Sequence, residues 1–261
     1  MSEQPRALHH VEKGSGYPLV LLHGFPLDSR VWQNQLDGLS DRYRVVCPDL
    51  QGFGKSASTQ PFSIDDQAEA VHAHLQQIGA LPCALGGLSM GGYVALAFAQ
   101  KYPEQIDGLI LVDTKAAGDT PDAKAGRMKM IDLVKKQGAP AVADQMMPRM
   151  VAENSIITQP QTVDLLRQII EACPPRTIEN ALLAMRDRPD RTDLLPSIAD
   201  PVLILVGESD AITPVEAAQQ MKDGIPHAVL TVIPDAGHMS PMENPKAVNA
   251  AIRRFMDELP R

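Results

Sequence analysis

The stretch LGGLSMGGYVALAFAQKYP, Leu85 to Pro103, sets four glycines around one serine, between an apolar run and an alanine-rich helical pattern. Glycine weakens both strands and helices. Four of them at a strand-to-helix junction mark a turn too crowded for side chains. Gly87-Leu88-Ser89-Met90-Gly91 fits the pattern G-x-S-x-G. At such a junction the chain turns so sharply that the serine is strained and its hydroxyl exposed. Side chains at 87 and 91 would collide with the neighbouring strand or helix, and Gly86 and Gly92 add room for close packing. With glycine and serine each near 7% of residues, chance supplies the pattern in roughly one such chain in ten. Its position after a strand and before a helix is what gives it weight, and it makes Ser89 a candidate nucleophile.

Working outward, apolar runs alternate with amphipathic ones. PLVLLHG (18–24), YRVVCPDL (43–50), LPCALGGLS (81–89), IDGLILVDT (106–114), PVLILVG (201–207) and AVLTVIP (228–234) read as strands. Between and after them, 29–39, 63–79, 90–103, 214–224 and 244–259 read as helices. Ser63 is a candidate N-cap, with Asp66 three residues on in a weaker form of the capping box. Continuous apolar strands separated by helices predict a parallel sheet covered on both faces. From about 118 to 196 the alternation gives way to helix throughout. This predicts a core of 1–117 and 197–261 interrupted by a helical cap, 118–196. The charged, proline-punctuated exit RDRPDRTDLLPSIADP reads as a solvated connector.

A serine hydroxyl is a poor nucleophile near neutral pH and needs a base. His238, in PDAGHMSPMENP, follows the last strand, so its loop opens on the edge where parallel sheets collect ligands. The other histidines precede the sheet, lie mid-helix or start a strand; His23 reads as a buried imidazole bracing its loop. The base needs an acid to fix its tautomer. Asp210, in LVGESDAITP, follows the preceding strand; Asp113, in ILVDT, one strand earlier, is its rival. An oxyanion needs donors already in place. The Met90 N–H at the start of the helix after Ser89 is one. Phe25 N–H, in HGFPLD, is the other, since Gly24 permits the tight turn and Pro26 has no N–H to offer.

The formal net charge of -8 argues against nucleic acid or an anionic membrane as partner. No apolar run reaches transmembrane length. The N-terminal stretch holds no apolar core of signal-peptide length. The three cysteines, Cys47, Cys83 and Cys173, show no metal-ligand spacing and suit reduced thiols, so a cytoplasmic location is expected. Cys47 and Cys83 sit in strand-like runs and read as core fillers. Six of the twelve methionines, Met128, Met130, Met146, Met147, Met150 and Met185, fall in the cap. They read either as packing of the cap onto the sheet or as the roof of a pocket for varied apolar shapes.

Together LVLLHGFPLDSRVW, PDLQGFGKS, GLSMGGYVAL, VGESDAITP and PDAGHMSPMENP resemble the successive landmarks of the α/β-hydrolase superfamily. The resemblance runs over nearly the whole chain and is weakest in the cap. Within the superfamily the chain is most similar to small bacterial carboxylesterases and enol-lactonase-like hydrolases. The resemblance implies an α/β-hydrolase fold: a mostly parallel sheet of seven to eight strands, helices on both faces and a helical cap insertion. It carries the catalytic roles to Ser89, Asp210 and His238, the oxyanion-hole roles to Phe25 and Met90, and the elbow glycines to Gly87 and Gly91. PDLQGFGKS is then a structural strand-end turn. Only one strand-like run, RALHHVEKG, precedes PLVLLHG where larger members have two, which points to seven strands. Serine stands where haloalkane dehalogenases and epoxide hydrolases of this fold use aspartate, which argues against both reactions. The expected activity is hydrolysis of small-molecule carboxylic esters of short to medium acyl chain, through an acyl-enzyme on Ser89, with no metal or organic cofactor. A lactonase or C–C bond hydrolase with the same triad, or a small-molecule receptor that retains it, stays open, as does the oligomeric state.

Overall fold

A computed structural model of the chain describes residues 7–259. Seven strands form one sheet in the order β1-β3-β2-β4-β5-β6-β7: β1 (His10–Lys13), β2 (Pro18–Leu22), β3 (Arg44–Pro48), β4 (Cys83–Leu88), β5 (Ile106–Val112), β6 (Val202–Gly207) and β7 (Val229–Ile233). Only β1 runs antiparallel, against β3; every other pairing is parallel. β4 and β6 are buried along their whole length, as expected for strands covered on both faces. β7 ends the sheet, and its Val229 and Val232 face solvent.

Helix α1 (Gln33–Leu39) packs on α10 (Pro245–Glu258), and α2 (Ile64–Gln77) on α3 (Met90–Lys101). α2 starts where its signal predicts. Ser63 Oγ accepts from Asp66 N at 3.0 Å, and Asp66 returns the bond to Ser63 N at 2.7 Å, satisfying two otherwise unpaired donors. α8 (Val215–Gly224) follows β6 and packs on β6 and β7. Cys47 and Cys83 are fully buried in strands, which pushes both thiols up and makes them inert packing groups.

The insertion consists of α4 (Pro121–Met150), α5 (Glu153–Thr158), α6 (Pro160–Ala172) and α7 (Pro175–Asp187). α4 is broken at Gly138, whose φ of +77° places it in the left-handed region. The exit from the insertion is not the solvated connector that its charges suggest. Arg188 is buried, pairs with the buried Asp119 at 2.7 Å, and lies 4.0 Å from the centre of the Tyr93 ring. Arg191, also buried, binds both oxygens of Asp65 at 2.9 Å. Arginine's planar fork lets it be buried where its donors are matched. The two strands of chain that join the insertion to the sheet are thus pinned to each other and to α2 and α3.

The sheet gathers four strand ends on one edge. Leu88 pairs with Val112, Val112 with Leu205, and Gly207 with Ile233. The chain therefore leaves β4 into Ser89, β5 into Asp113, β6 toward Asp210 and β7 toward His238 side by side.

Candidate active site

Ser89 lies between β4 and α3 with φ +53° and ψ -112°, a conformation that costs a non-glycine residue on the order of 1–3 kcal/mol. Its surroundings hold it there. Ser89 N–H donates to Val112 O at 2.9 Å, and Ser89 O accepts from Gly92 N and from Thr114 Oγ1 at 2.7 Å. A Cβ at Gly87 would overlap the Gly91 carbonyl, and one at Gly91 would overlap the Leu22 carbonyl and lie 2.7 Å from His23 O. A Cβ at Gly92 would run into the Thr114 side chain. The glycine cluster is thus a packing requirement of the turn.

The half-buried Ser89 Oγ lies 2.9 Å from His238 Nε2. On the other side of the ring, His238 Nδ1 lies 2.9 Å from Asp210 Oδ2. A carboxylate only accepts, so Nδ1 carries the proton and Nε2 is left to accept from the serine. Asp210 is fixed by its own turn: Oδ1 accepts from Ile212 N at 2.8 Å and Thr213 N at 2.9 Å, and Oδ2 accepts from Thr213 Oγ1 at 2.7 Å. Burial pushes the Asp210 carboxyl up, but the His238 charge and hydrogen bond and the Thr213 donors outweigh it, and its pKa ends below the usual value. Burial likewise pushes His238 down. The Asp210 charge and hydrogen bond, then Asp113 and Glu243, outweigh it and raise its pKa above 6.5.

The rival acid is close but differently engaged. Asp113, at φ +44°, is fully buried; Oδ1 accepts from Gly207 N at 2.8 Å, and Oδ2 lies 2.6 Å from Ser240 Oγ and 3.2 Å from Ser240 N. Burial, then the charge of Asp210, pushes it up to about 8. Of the two carboxyls, only Asp210 meets the ring nitrogen.

The loop after β2 lies against the serine. A Cβ at Gly24 would sit 3.2 Å from Ser89 Cβ and from Leu88 O, so Phe25 follows at the reacting edge. Leu27 N–H closes the loop on Gly24 O at 3.0 Å. His23 braces it: Nδ1 donates to Gly24 O at 2.8 Å, and Nε2 accepts from Leu50 N at 3.0 Å. Burial lowers the His23 pKa, in keeping with that neutral, two-role imidazole. Met90 is the first residue of α3, where backbone N–H groups have no intrahelical acceptor and the helix dipole favours negative charge. PDLQGFGKS is a turn folded around Asp49, which accepts from Ser29 N and Lys55 N and meets His9 Nδ1.

Over the site, Val151 and Ala152 from the insertion touch Gly237 beside His238. Met147, Met150 and Met185 are buried, whereas Met128 is 40% exposed. A cavity of about 320 Å³ is lined by Pro26, Arg30, Asp49, Lys55 and Ile169 among others, and not by Ser89 or His238. The hydrogen-bonded chain of Ser89, His238 and Asp210 lies outside the lining of that cavity. Among the described residues no cluster of His, Cys, Asp or Glu is arranged to hold a metal ion, and no helix is long and apolar enough to cross a membrane.

Three neighbours were missed by sequence reasoning: Thr213, Ser240 and Glu243. Thr213 left a local signal, because Asp followed three residues later by Thr is a common side-chain-to-backbone turn. Ser240 and Glu243 left none that could be read, since Ser240 meets Asp113 after β5 and Glu243 joins its local donors Gly237 N and Met239 N to two from the insertion.

A thermophilic esterase from Thermogutta terrifontis shares 42% identity over 96% of this chain and 93% of its own, with a TM-score of 0.93. The 3-oxoadipate enol-lactonase 2 of Acinetobacter baylyi is 28% identical over 91% of this chain and 88% of its own length. The enol-lactonase of Burkholderia xenovorans, at 23% identity and a TM-score of 0.89, shares the fold over 96% of both chains. A family model described as the alpha/beta hydrolase fold matches residues 17–245, and the chain belongs to that family.

Proposed function

We propose that the protein is a serine hydrolase of carboxylic esters that works through an acyl-enzyme on Ser89. The observation that carries this reading is the unbroken chain Ser89 Oγ to His238 Nε2 and His238 Nδ1 to Asp210, each link 2.9 Å. Ser89 Oγ attacks the ester carbonyl while His238 Nε2 takes its proton, and Asp210 stabilises the resulting imidazolium. Negative charge moves to the carbonyl oxygen, held by the Phe25 and Met90 N–H groups. The intermediate collapses as the C–O bond breaks, His238 gives its proton to the leaving alcohol, and the acyl group stays on Ser89. Water enters, His238 takes a proton from it, and a second tetrahedral intermediate releases the acid and restores the Ser89 hydroxyl.

A lactone is a cyclic ester, and the same steps open it with both products on one molecule. The likeness to two enol-lactonases makes lactones the second substrate class to try. The insertion, 118–196, contains no Phe, Tyr or Trp, which argues against flat ring substrates and supports neutral aliphatic esters of about C2 to C8 as the first class to test. Within that range each methylene adds up to about 0.8 kcal/mol of binding until the pocket is full. The test is a series of p-nitrophenyl esters from acetate to palmitate, with simple lactones, on the wild type and Ser89→Ala. The expected result is a maximum at short to medium chains and a loss on the order of 10³-fold or more in the variant. Near-normal turnover by Ser89→Ala would overturn the nucleophile, and rates that climb to palmitate would overturn the chain-length preference.

A further inference from the structure

The mechanism above leaves one buried carboxylate unused. Glu243 lies five residues after His238, in the short helix α9 (Ser240–Glu243), and is 5% exposed. Its Oε1 accepts from Gly237 N at 2.9 Å and Met239 N at 3.2 Å, the backbone N–H groups of the residues on either side of His238. Its Oε2 accepts from Ala152 N and Ser155 Oγ, both at 2.7 Å, where the insertion passes from α4 to α5. Gln159 Nε2, from the same region, donates to Glu243 O at 3.0 Å. All four partners of the carboxylate are N–H or O–H dipoles, and none is a cation.

That arrangement has a cost and a specificity. A buried carboxylate without a counter-cation is expensive to desolvate, so packing alone would be served better by an apolar residue. Two acceptor oxygens can hold two separate pairs of donors. A glutamine keeps only one acceptor oxygen: its amide nitrogen can still donate to the Ser155 hydroxyl, but it leaves Ala152 N–H, or one of the histidine-side N–H groups, without an acceptor. The two segments also touch directly: a Cβ at Gly237 would lie 2.6 Å from Ala152 N and 2.7 Å from Val151 C. The loop that carries His238 and the insertion therefore meet on this carboxylate.

We propose that Glu243 is a positioning residue: it clamps the N–H groups of Gly237 and Met239, the residues flanking His238, and ties them to the insertion at Ala152 and Ser155, so that placement of the imidazole depends on the insertion being docked. The proposal rests on the reading of His238 as the base. Other charged groups also face that ring. Asp210 and Asp113 are the carboxylates at the ends of β6 and β5, and Arg149 on α4 donates to Ala211 O at 2.6 Å beside Asp210. The Glu243 charge is one of those that raise the His238 pKa, after Asp210 and Asp113. Removing it without removing bulk lowers the midpoint.

The experiment compares the wild type, Glu243→Gln and Ser155→Ala by kcat, KM and pH profile on one ester. In parallel, NMR follows the titration of the His238 imidazole, which needs no substrate. Displacing a catalytic group by about 1 Å costs on the order of 10²-fold, so Glu243→Gln is expected to lose up to that in kcat, with KM little changed and the midpoint moved down. Ser155→Ala keeps the charge and the histidine-side bonds and loses one bond to the insertion. It is expected to lower kcat about three- to tenfold, the worth of one such bond, with the midpoint unmoved. A folded Glu243→Gln with wild-type kcat and midpoint overturns the proposal. Should that variant not fold, an unchanged kcat in Ser155→Ala overturns it. Absence of turnover in the wild type would instead defeat the esterase reading, and the NMR midpoint in Glu243→Gln would still decide for or against Glu243.

Discussion

Asp210→Asn separates the two acids near His238 and tests the hydrogen-bond chain at its middle link. Asparagine keeps one oxygen, which can stay on Ile212 N and Thr213 N, the two bonds that shape the turn. The amide nitrogen then takes the place of Oδ2, facing His238 Nδ1 and Thr213 Oγ1. An amide nitrogen only donates, so Nδ1 must become an acceptor and the ring proton moves to Nε2. There it points at Ser89 Oγ, and the base has lost the lone pair it needs. The same replacement removes the charge that stabilises the imidazolium. Tautomer exchange of this kind in a serine–histidine–aspartate triad costs about 10⁴-fold in kcat, or roughly 5 kcal/mol at 1.36 kcal/mol per tenfold. The assay is hydrolysis of p-nitrophenyl acetate between pH 6 and 9, with thermal unfolding followed alongside. The expected result is an intact fold and a loss of that order at every pH. Asp210→Asn retaining more than about a tenth of wild-type kcat, against the loss expected from the tautomer argument, would refute the reasoning. So would a larger loss in Asp113→Asn.

Asp113→Asn is expected to change kcat by only a few-fold, because the carboxyl it replaces meets Gly207 N and Ser240 and not the His238 ring; burial, then the Asp210 charge, pushes its pKa up to about 8. A folded pKa raised above the unfolded value means that the native state holds an extra proton between about pH 4 and 8. Wild-type stability from this group therefore falls as pH rises through that window, and the urea midpoint of Asp113→Asn should gain on the wild type from pH 5 to 8. The raised pKa of His238 predicts that kcat/KM climbs with an acid-limb midpoint above 6.5, since only the neutral ring acts as base; a midpoint well below that value would contradict it. Gly91→Ala would drive a Cβ into the backbone of β2 and should destabilise by roughly 1–3 kcal/mol or more. Gly126→Ala in α4 meets nothing within 4 Å and should stabilise by about 0.5–1 kcal/mol, and urea unfolding of the two variants checks both signs.

Much of the fold was legible because its signals are local and repeated. A buried parallel strand needs apolar residues on both faces, so PLVLL, CALGGL and VLILVG stand out without any partner in view. The capping box at Ser63 is spelled within four residues. The connector to the insertion was misread for the opposite reason. Arg188 and Arg191 sit in a charged, proline-rich stretch that looks solvated, but Asp119 and Asp65, which bury them, lie 69 and 126 residues away. A charge pattern shows how polar a segment is and not whether a distant carboxylate will meet it.

The same distinction divides the site. Ser89 was legible because the turn that strains it must be written in glycine, at Gly87 and Gly91. His238 and Asp210 followed from strand order, since a parallel sheet delivers the ends of its strands to one edge. Asp113 was ranked behind Asp210, but on chain order and resemblance and not on any contact of its own. Its position after β5 is as good as that of Asp210 after β6, and only the bonds to Gly207 N and Ser240 Oγ turn it away from the ring. Glu243 could not be found at all. Five residues from a histidine in MSPMEN it reads as a helix-surface acid, and its meaning lies in two donors from the insertion, Ala152 N and Ser155 Oγ, 91 and 88 residues before it. The residues proposed to do the chemistry are constrained by their own turns and leave a pattern. Residues that hold those turns in place are constrained by whatever packs on them, and that is decided only when the insertion folds over the sheet.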